Sequence, residues 1–563
     1  MTIDRARAPL PDRVDVAIVG AGLGGLIAAA NLAQAGRRVA VFDAHYVAGG
    51  CATMFTRRAA GARFQFDVGL HYIGDCGPDG VIPGILRTLG IELEYAPLDP
   101  DGFDTLVFPD FRFRIPANLE TYRDRLVDQF PREKRGIDTY VRFLREVDRL
   151  KAKSSGNAPA KGKWGMLLDV ALHGRLAAKY RTATMGQLLA DTIRDPQLAA
   201  VILGQSGDYG LPPSRVSALL HAGLATHYFH GAFYPVGGGQ VIADRLCEHI
   251  EAHGGSVHLR TPVERIVVEN GRAVGVRLGG PHHTGAEVRA PVTVSGADLK
   301  RTLLELVEPT ALPSGVAERV RAYEMAAALF IVFLGVKGDL RQRGLSNTNY
   351  WSFDGYDVEA FYADGASGKL DANGAPRIGG SYITSASLKD PGTAHHAPPG
   401  HGTVEIMAVV PSDSSLWGID AGPGQIGERA NGASSGPVGR EPRGLSIEGW
   451  RYRKSAAYLD RKQKLEDALI ARYDRLFPGA AADIVYRESA TPVTHARFTR
   501  ASAGTGYGLA CTPAQFMEGR PGYRGPIPGL YLCGASTRAG HGIAGAMMSG
   551  VAVAKRVTRD SAI

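Results

Sequence analysis

The sequence predicts an α/β protein. A Rossmann-type dinucleotide-binding domain is assembled from separated stretches of chain, and a discontinuous α+β domain is threaded between them. Three observations carry this reading. A complete β-α-β unit with a glycine fingerprint opens the chain at residues 14–43. A hairpin and a short apolar strand follow between 261 and 298, and a strand, a glycine turn and a small-residue helix close the chain at 529–556. Pieces that return to one parallel sheet after long excursions are the usual way such a domain hosts a second one.

The first piece is the most informative. Residues 14–19 read VDVAIV, a β-branched run long enough for one buried strand. Gly20-Ala21-Gly22-Leu23-Gly24-Gly25 follows at once, then the helical LIAAANLAQA, stopped by Gly36, and a second strand RRVAVF ending at Asp43. Each glycine has a physical task. Gly20 permits the tight turn, Gly22 lets a pyrophosphate approach the backbone, and Gly25 lets helix and strand pack closely. The helix start, with Leu23 and Gly24, offers free N–H groups and a positive dipole end to phosphates. Asp43 sits where a carboxylate accepts from both ribose hydroxyls. A lone G-x-G-x-x-G is weak, but here strand, glycines, helix, second strand and acid agree.

The middle and last pieces complete the sheet. In TPVERIVVENGRAVGVRL, two alternating runs flank Asn270-Gly271, a strong hairpin signal. VTVSGAD at 292–298 reads as a returning strand, and GLYLCGAS as the last strand, ending at Gly534 before a helix that opens near Gly542.

From Asp43 onward the chain resembles the phytoene desaturase, carotenoid isomerase and retinol saturase family of FAD-dependent oxidoreductases. The resemblance rests on Gly49-Gly50 after the acidic strand end, on Asp67, Gly69 and His71 in FQFDVGLHYIG, on Tyr234-Pro235 before Gly237–Gly239, and on the closing segment. There Gly534, Gly540, Gly542, Ile543, Gly545, Ala546, Ser549 and Gly550 match, while Ala539 replaces a proline and His541 a glycine of the family pattern. The match covers about residues 14–75, 230–300 and 488–556, in family order. It implies a glutathione-reductase-like or amine-oxidase-like FAD-binding domain over 1–75, 230–300 and 488–563, with substrate-binding parts at 76–229 and 301–487. It implies FAD as cofactor, with contacts from Ala44, Cys51, Val263 and Ala535 beside the glycines. N–H groups near Ile543 would face the flavin edge where negative charge collects on reduction.

The resemblance also implies chemistry at C–C double bonds of long apolar substrates: desaturation, saturation or isomerisation. The HYIG form at 71–74 leans toward the saturases and isomerases. Candidate proton-transfer residues are His71, Tyr234, His495, Tyr507 and His541, with His71 first because a histidine near neutrality suits proton transfer. An amine-oxidase-like flavoenzyme and a non-catalytic binding protein on the same scaffold, as Rab escort relatives are, remain alternatives. No second dinucleotide fingerprint is present, so no dedicated NAD(P)H domain is expected, and the electron partner is left open.

Composition bounds the rest. The chain has 563 residues, 44% apolar and 21% charged, typical of folded domains. Its +8 net charge, from 64 basic and 56 acidic residues, is a weak bias, and no nucleic-acid motif accompanies it. Five scattered cysteines without C-x-x-C argue against a disulfide framework and a metal site, and for a reduced, cytoplasmic setting. FPREKRGIDTYVRFLREVDRL at 130–150 shows helical periodicity, with Ile137, Tyr140, Val141, Leu144 and Val147 on a stripe expected to be core. Residues 149–181 carry eight basic residues against Asp169 alone, interleaved with Trp164, Met166, Leu167 and Leu168. That pattern predicts peripheral contact with the inner face of a membrane. The Gly/Ser/Pro-rich run 421–444 is expected to be a mobile insertion.

Overall fold

The computed structural model describes residue 5 and residues 8–154, 173–280, 282–372, 374, 376–417 and 451–561. Most of the predicted membrane segment and the whole of 421–444 lie outside the described residues.

A five-stranded parallel sheet forms in the order 256–258, 39–42, 16–19, 292–295 and 530–532. The strands Val16–Val19, Val39–Phe42 and Val292–Ser295 are buried at every residue. Their continuous β-branched runs reflect this, since a parallel sheet is covered on both faces. The helix Leu23–Gln34 packs between Gln240–Ala252 and the closing helix Gly542–Ser561. Small residues permit the closest crossing: a Cβ on Gly550 would lie 2.5 Å from the Gly24 carbonyl oxygen. On the other face lies an antiparallel sheet of Val263–Glu269, Arg272–Leu278 and Glu287–Arg289. Its predicted turn has Asn270 at φ 49° and Gly271 at φ 72°, the left-handed pair that a two-residue hairpin needs.

The second large sheet has seven strands in the order 484–490, 328–337, 401–410, 380–384, 349–353, 104–107 and 112–115. All neighbours are antiparallel except 349–353 with 104–107. Residues 488–490, placed by sequence on the nucleotide side, complete the strand Ile484–Ala490 of this sheet. The apolar strand Ala328–Lys337 serves two faces by simple alternation. Phe330, Val332 and Leu334 pack in a core with Leu469 and Tyr473 of the helix Ala456–Leu476. Leu329, Ile331 and Phe333 turn the other way, into a cavity.

The helix Lys134–Ser154 packs on Ala218–Phe229. Its predicted stripe, Ile137, Tyr140, Val141, Leu144 and Val147, is buried, as expected for core. Lys151 donates to the Gly223 carbonyl at 2.9 Å, so it binds this helix pair together. Lys151 is one of the eight basic residues of 149–181, and its ammonium is engaged with a helix backbone.

Candidate active site

One cavity of about 1530 Å³ joins the two large sheets. At one end, chain segments far apart in sequence meet through glycines. The paired glycines fold back on the fingerprint: Gly49 N donates to Ala21 O at 2.8 Å, and a Cβ on Gly50 would lie 3.1 Å from Gly22 Cα. A Cβ on Gly24 would lie 3.0 Å from Gly534 N. Ser549 accepts from Gly534 N at 2.7 Å, which fixes the last strand to the closing helix.

The cavity surface here is made by Gly20, Gly22, Leu23, Gly24, Asp43, Ala44, Gly49, Gly50, Cys51, Gly69 and Val263 from the first half of the chain. Gly534, Ala535, Gly542, Ile543 and Ala546 come from the last piece. Gly22 precedes the helix with no side-chain cap on its first turn, and a Cβ there would meet nothing within 4 Å. The result is an uncapped helix N-terminus facing open space, suited to phosphate oxygens. Asp43 accepts from Ala21 N at 2.6 Å and His45 N at 2.7 Å, and it keeps free lone pairs toward the cavity.

The other end is apolar. Leu329, Ile331, Phe333, Trp351, Phe353 and Met407 of the seven-stranded sheet face Leu219, Leu220 and Leu224 of the helix Ala218–Phe229. Ligand pockets are typically about 300–1000 Å³. This one is large enough for a dinucleotide and a long second molecule together.

Where the two ends meet, a buried polar network backs the cavity and reaches its surface through His71, Tyr72 and Asp208. His71 reaches Glu405 Oε2 with Nδ1 at 3.1 Å, and Asp67 N donates to the other oxygen of Glu405 at 3.0 Å. Lys389 donates to the His71 carbonyl at 2.6 Å and to Thr384 Oγ1. Burial pulls Lys389 down to about 8, and pushes Asp67 and Asp104 each up to about 6. His495 and His541 are each drawn down to about 4 by burial, so both rings are neutral near pH 7. The His541 Nδ1 lies 3.1 Å from Cys511 Sγ, itself held by Arg520. Tyr507 donates to Gly207 O at 2.5 Å. Burial raises the Cys51 thiol to about 11, so it is a neutral group beside His495 Nε2 at 4.0 Å.

The family model for flavin containing amine oxidoreductases matches residues 23–419. The chain belongs to that family. This flavin oxidoreductase is 27% identical over 558 residues to an all-trans-retinol 13,14-reductase of Danio rerio, covering 93% of this chain and 83% of that protein. It is 25% identical over 564 residues to a chloroplastic prolycopene isomerase of Daucus carota, covering 97% and 80%. Among solved structures, an oxidoreductase from Methanosarcina mazei aligns with TM-score 0.58 at 18% identity over 96% of this chain and 99% of that one. Cyclohexylamine oxidase from Brevibacterium oxydans aligns with TM-score 0.56 at 18% identity over 98% and 100%. The fold of this flavin oxidoreductase is thus the amine-oxidase-like one, and FAD is its cofactor. The bare helix start, the glycine surfaces and the acid at the second strand end fit that group.

One sequence expectation needs correction in this flavin oxidoreductase. Tyr234 does not reach the cavity: it is fully buried and donates to Asp67 Oδ2. Its strand, Ala232–Pro235, is short and turns that side chain inward. Gly25 lies beneath the cradle, where its Cβ would be 2.2 Å from Gly20 O, in keeping with the close packing expected of it. His541 lines the cavity instead of facing solvent. Gly237 and Gly238 adopt φ of 89° and 87°, and a Cβ on Gly238 would strike Met54, which makes this run a packing turn. Sequence reasoning missed Tyr72, Asp104, Asp208, Lys389 and Glu405. Tyr72 stood inside the HYIG motif without being singled out, and the other four are single polar residues with no local pattern around them, so only the fold gathers them. Among the described residues no group of His, Cys, Asp and Glu could hold a metal ion, and no helix is long and apolar enough to cross a membrane.

Proposed function

We propose that this flavin oxidoreductase saturates or isomerises carbon–carbon double bonds of a long apolar polyene, with hydride transfer at the flavin. The observation that carries the reading is the continuity of the glycine-lined cradle with the apolar wall of Leu329, Ile331, Phe333 and Trp351. The reductase and isomerase similarities over more than nine-tenths of the chain support it.

FAD, when bound, supplies the two-electron chemistry. The chain's own residues do the rest. Gly22 and the first turn of Leu23–Gln34 would hold its phosphates, Asp43 would take its ribose, and the positive start of Gly542–Ser561 would stabilise negative charge on it. The apolar wall replaces water around the polyene, which contributes about 25 cal/mol for each Å² of apolar surface buried. His71, oriented by Glu405, faces the cavity where the two ends meet.

The deciding experiment is anaerobic. Protein reduced with dithionite is mixed with all-trans-retinol or with a cis-configured carotene. Flavin reoxidation with a product heavier by two hydrogens supports saturation. Geometric change with no net redox supports isomerisation. In a parallel assay in air with oxidised flavin, hydrogen peroxide release from simple amines, with both polyenes untouched in the anaerobic one, would replace this reading with an amine oxidase.

A further inference from the structure

The turn Ser206–Asp208 brings a carboxyl group to the cavity surface. Its backbone is pinned on the flavin side, with Tyr507 donating to the Gly207 carbonyl and the His541 ring bonded to the carbonyl of Asp208. On its other side stands Tyr72. The Tyr72 hydroxyl lies 2.6 Å from Asp208 Oδ2 and 3.0 Å from Asp104 Oδ2. A phenol has one proton to donate. Two carboxylates cannot both accept it, so one of the two carboxyl groups must bring a proton of its own.

The neighbours decide which. Asp104 accepts from Gln205 Nε2 at 2.7 Å and Asn349 Nδ2 at 2.8 Å, two amide donors that favour the charged form. Asp208 has hydroxyl neighbours only, a negative Asp104 beyond Tyr72, and an apolar surround. Burial and that neighbour push its carboxyl well above the ordinary range. The proton order is therefore Asp208 O–H to Tyr72 oxygen, and Tyr72 O–H to the Asp104 carboxylate.

We propose that Asp208 stands at the cavity wall as a neutral carboxylic acid and is the proton donor to the substrate double bond. This rests on the double-bond reading above. With substrate bound, the Asp208 O–H turns from the Tyr72 oxygen to the double bond, and the π pair takes its proton at one carbon, forming a C–H bond as the O–H bond breaks. The other carbon receives the hydride carried by the reduced flavin. The alkene is reduced and the flavin oxidised, and Asp208, left as a carboxylate, recovers a proton from water between turnovers. A neutral acid suits this site because a buried carboxylate would repel the polyene's electrons and cost several kcal/mol in desolvation.

The test has two readouts on the holoprotein. The first is the infrared difference between parent and Asp208→Asn at neutral pH, with flavin content and visible spectrum matched. The parent should show the carbonyl stretch of a protonated carboxylic acid, shifting in D₂O and missing from the variant. Tyr72→Phe should keep that band at a displaced frequency, since only the hydrogen-bond partner changes. No protonated-acid band lost in Asp208→Asn would overturn the assignment. The second readout is turnover: a slower saturation in D₂O than in H₂O for the parent, and roughly a hundredfold or greater slowing in Asp208→Asn. Unchanged turnover in that variant would overturn the donor role. A protein that carries the band yet converts no polyene overturns the double-bond reading and the donor role with it, while the neutral acid stands.

Discussion

His71 Nδ1 and Glu405 Oε2 lie 3.1 Å apart although 334 residues separate them in the chain. Glu405 is 1% exposed, and its second oxygen accepts from the backbone of Asp67. One buried carboxylate from the seven-stranded sheet therefore sets both the loop that carries His71 and the direction of its ring. Lys389 completes the arrangement by holding the His71 carbonyl.

Glu405→Ala should be strongly destabilising. It removes the largest of three carboxylate charges acting on buried Lys389, and leaves Asp67 N without its acceptor and His71 Nδ1 without its partner. Breaking a buried pair from one side costs about 3–5 kcal/mol. Urea denaturation of the purified variant checks this, and a loss under about 1 kcal/mol would contradict the structural role.

The glycine fingerprint separates cofactor binding from folding. Gly22 has φ −71° and ψ 166°, open to any residue, and no atom would meet its Cβ. Gly22→Val should fold with the thermal midpoint of the flavin-free parent and show no flavin absorbance. Gly25→Ala should instead destabilise the fold by about 1–3 kcal/mol, since its Cβ collides with Gly20 O. Full flavin occupancy in Gly22→Val would remove the phosphate role from that surface.

Lys389 gives a pH signature. Its pKa falls from the ordinary 10.5 to about 8 because burial penalises the ammonium. Between those values the unfolded chain binds the proton and the native state does not, so stability from this group rises with pH over that window and is lost as pH falls through about 8. The stability difference between parent and Lys389→Met, followed from pH 7 to 10.5, should move in favour of the parent as pH rises. A pH-independent difference would count against a buried, depressed lysine.

Membrane contact is proposed from composition alone, through the basic and apolar residues of 149–181. The helix that leads into this segment, Lys134–Ser154, contributes Val147 and Leu150 to the cavity. Binding to anionic liposomes should weaken with salt. It should fall by about 1 kcal/mol for each of Lys153, Lys161 and Lys163 replaced by Glu, with FAD retained. Equal co-sedimentation of the triple variant and the parent would place any docking surface elsewhere.

The sequence by itself determined the nucleotide-binding half. Its signals are local: the fingerprint of residues 20–25 sits between its own strand and helix, Asn270-Gly271 fixes its own turn, and Gly542 opens its own helix. Each is a backbone requirement that a short window of residues expresses in full. The alternation from Phe330 to Leu334 reads as a strand in the sequence, without showing which face lines a cavity. The tertiary structure alone decided the buried polar network. Tyr72, Asp104, Asp208, Lys389 and Glu405 come from separate elements, and no spacing relates them. What selects them is burial: a polar group withdrawn from water must find a partner in space, and the chain records the group without recording the partner. Tyr234 shows the same limit in reverse. Its motif pointed to the cavity, yet the fold turned its hydroxyl to the buried Asp67.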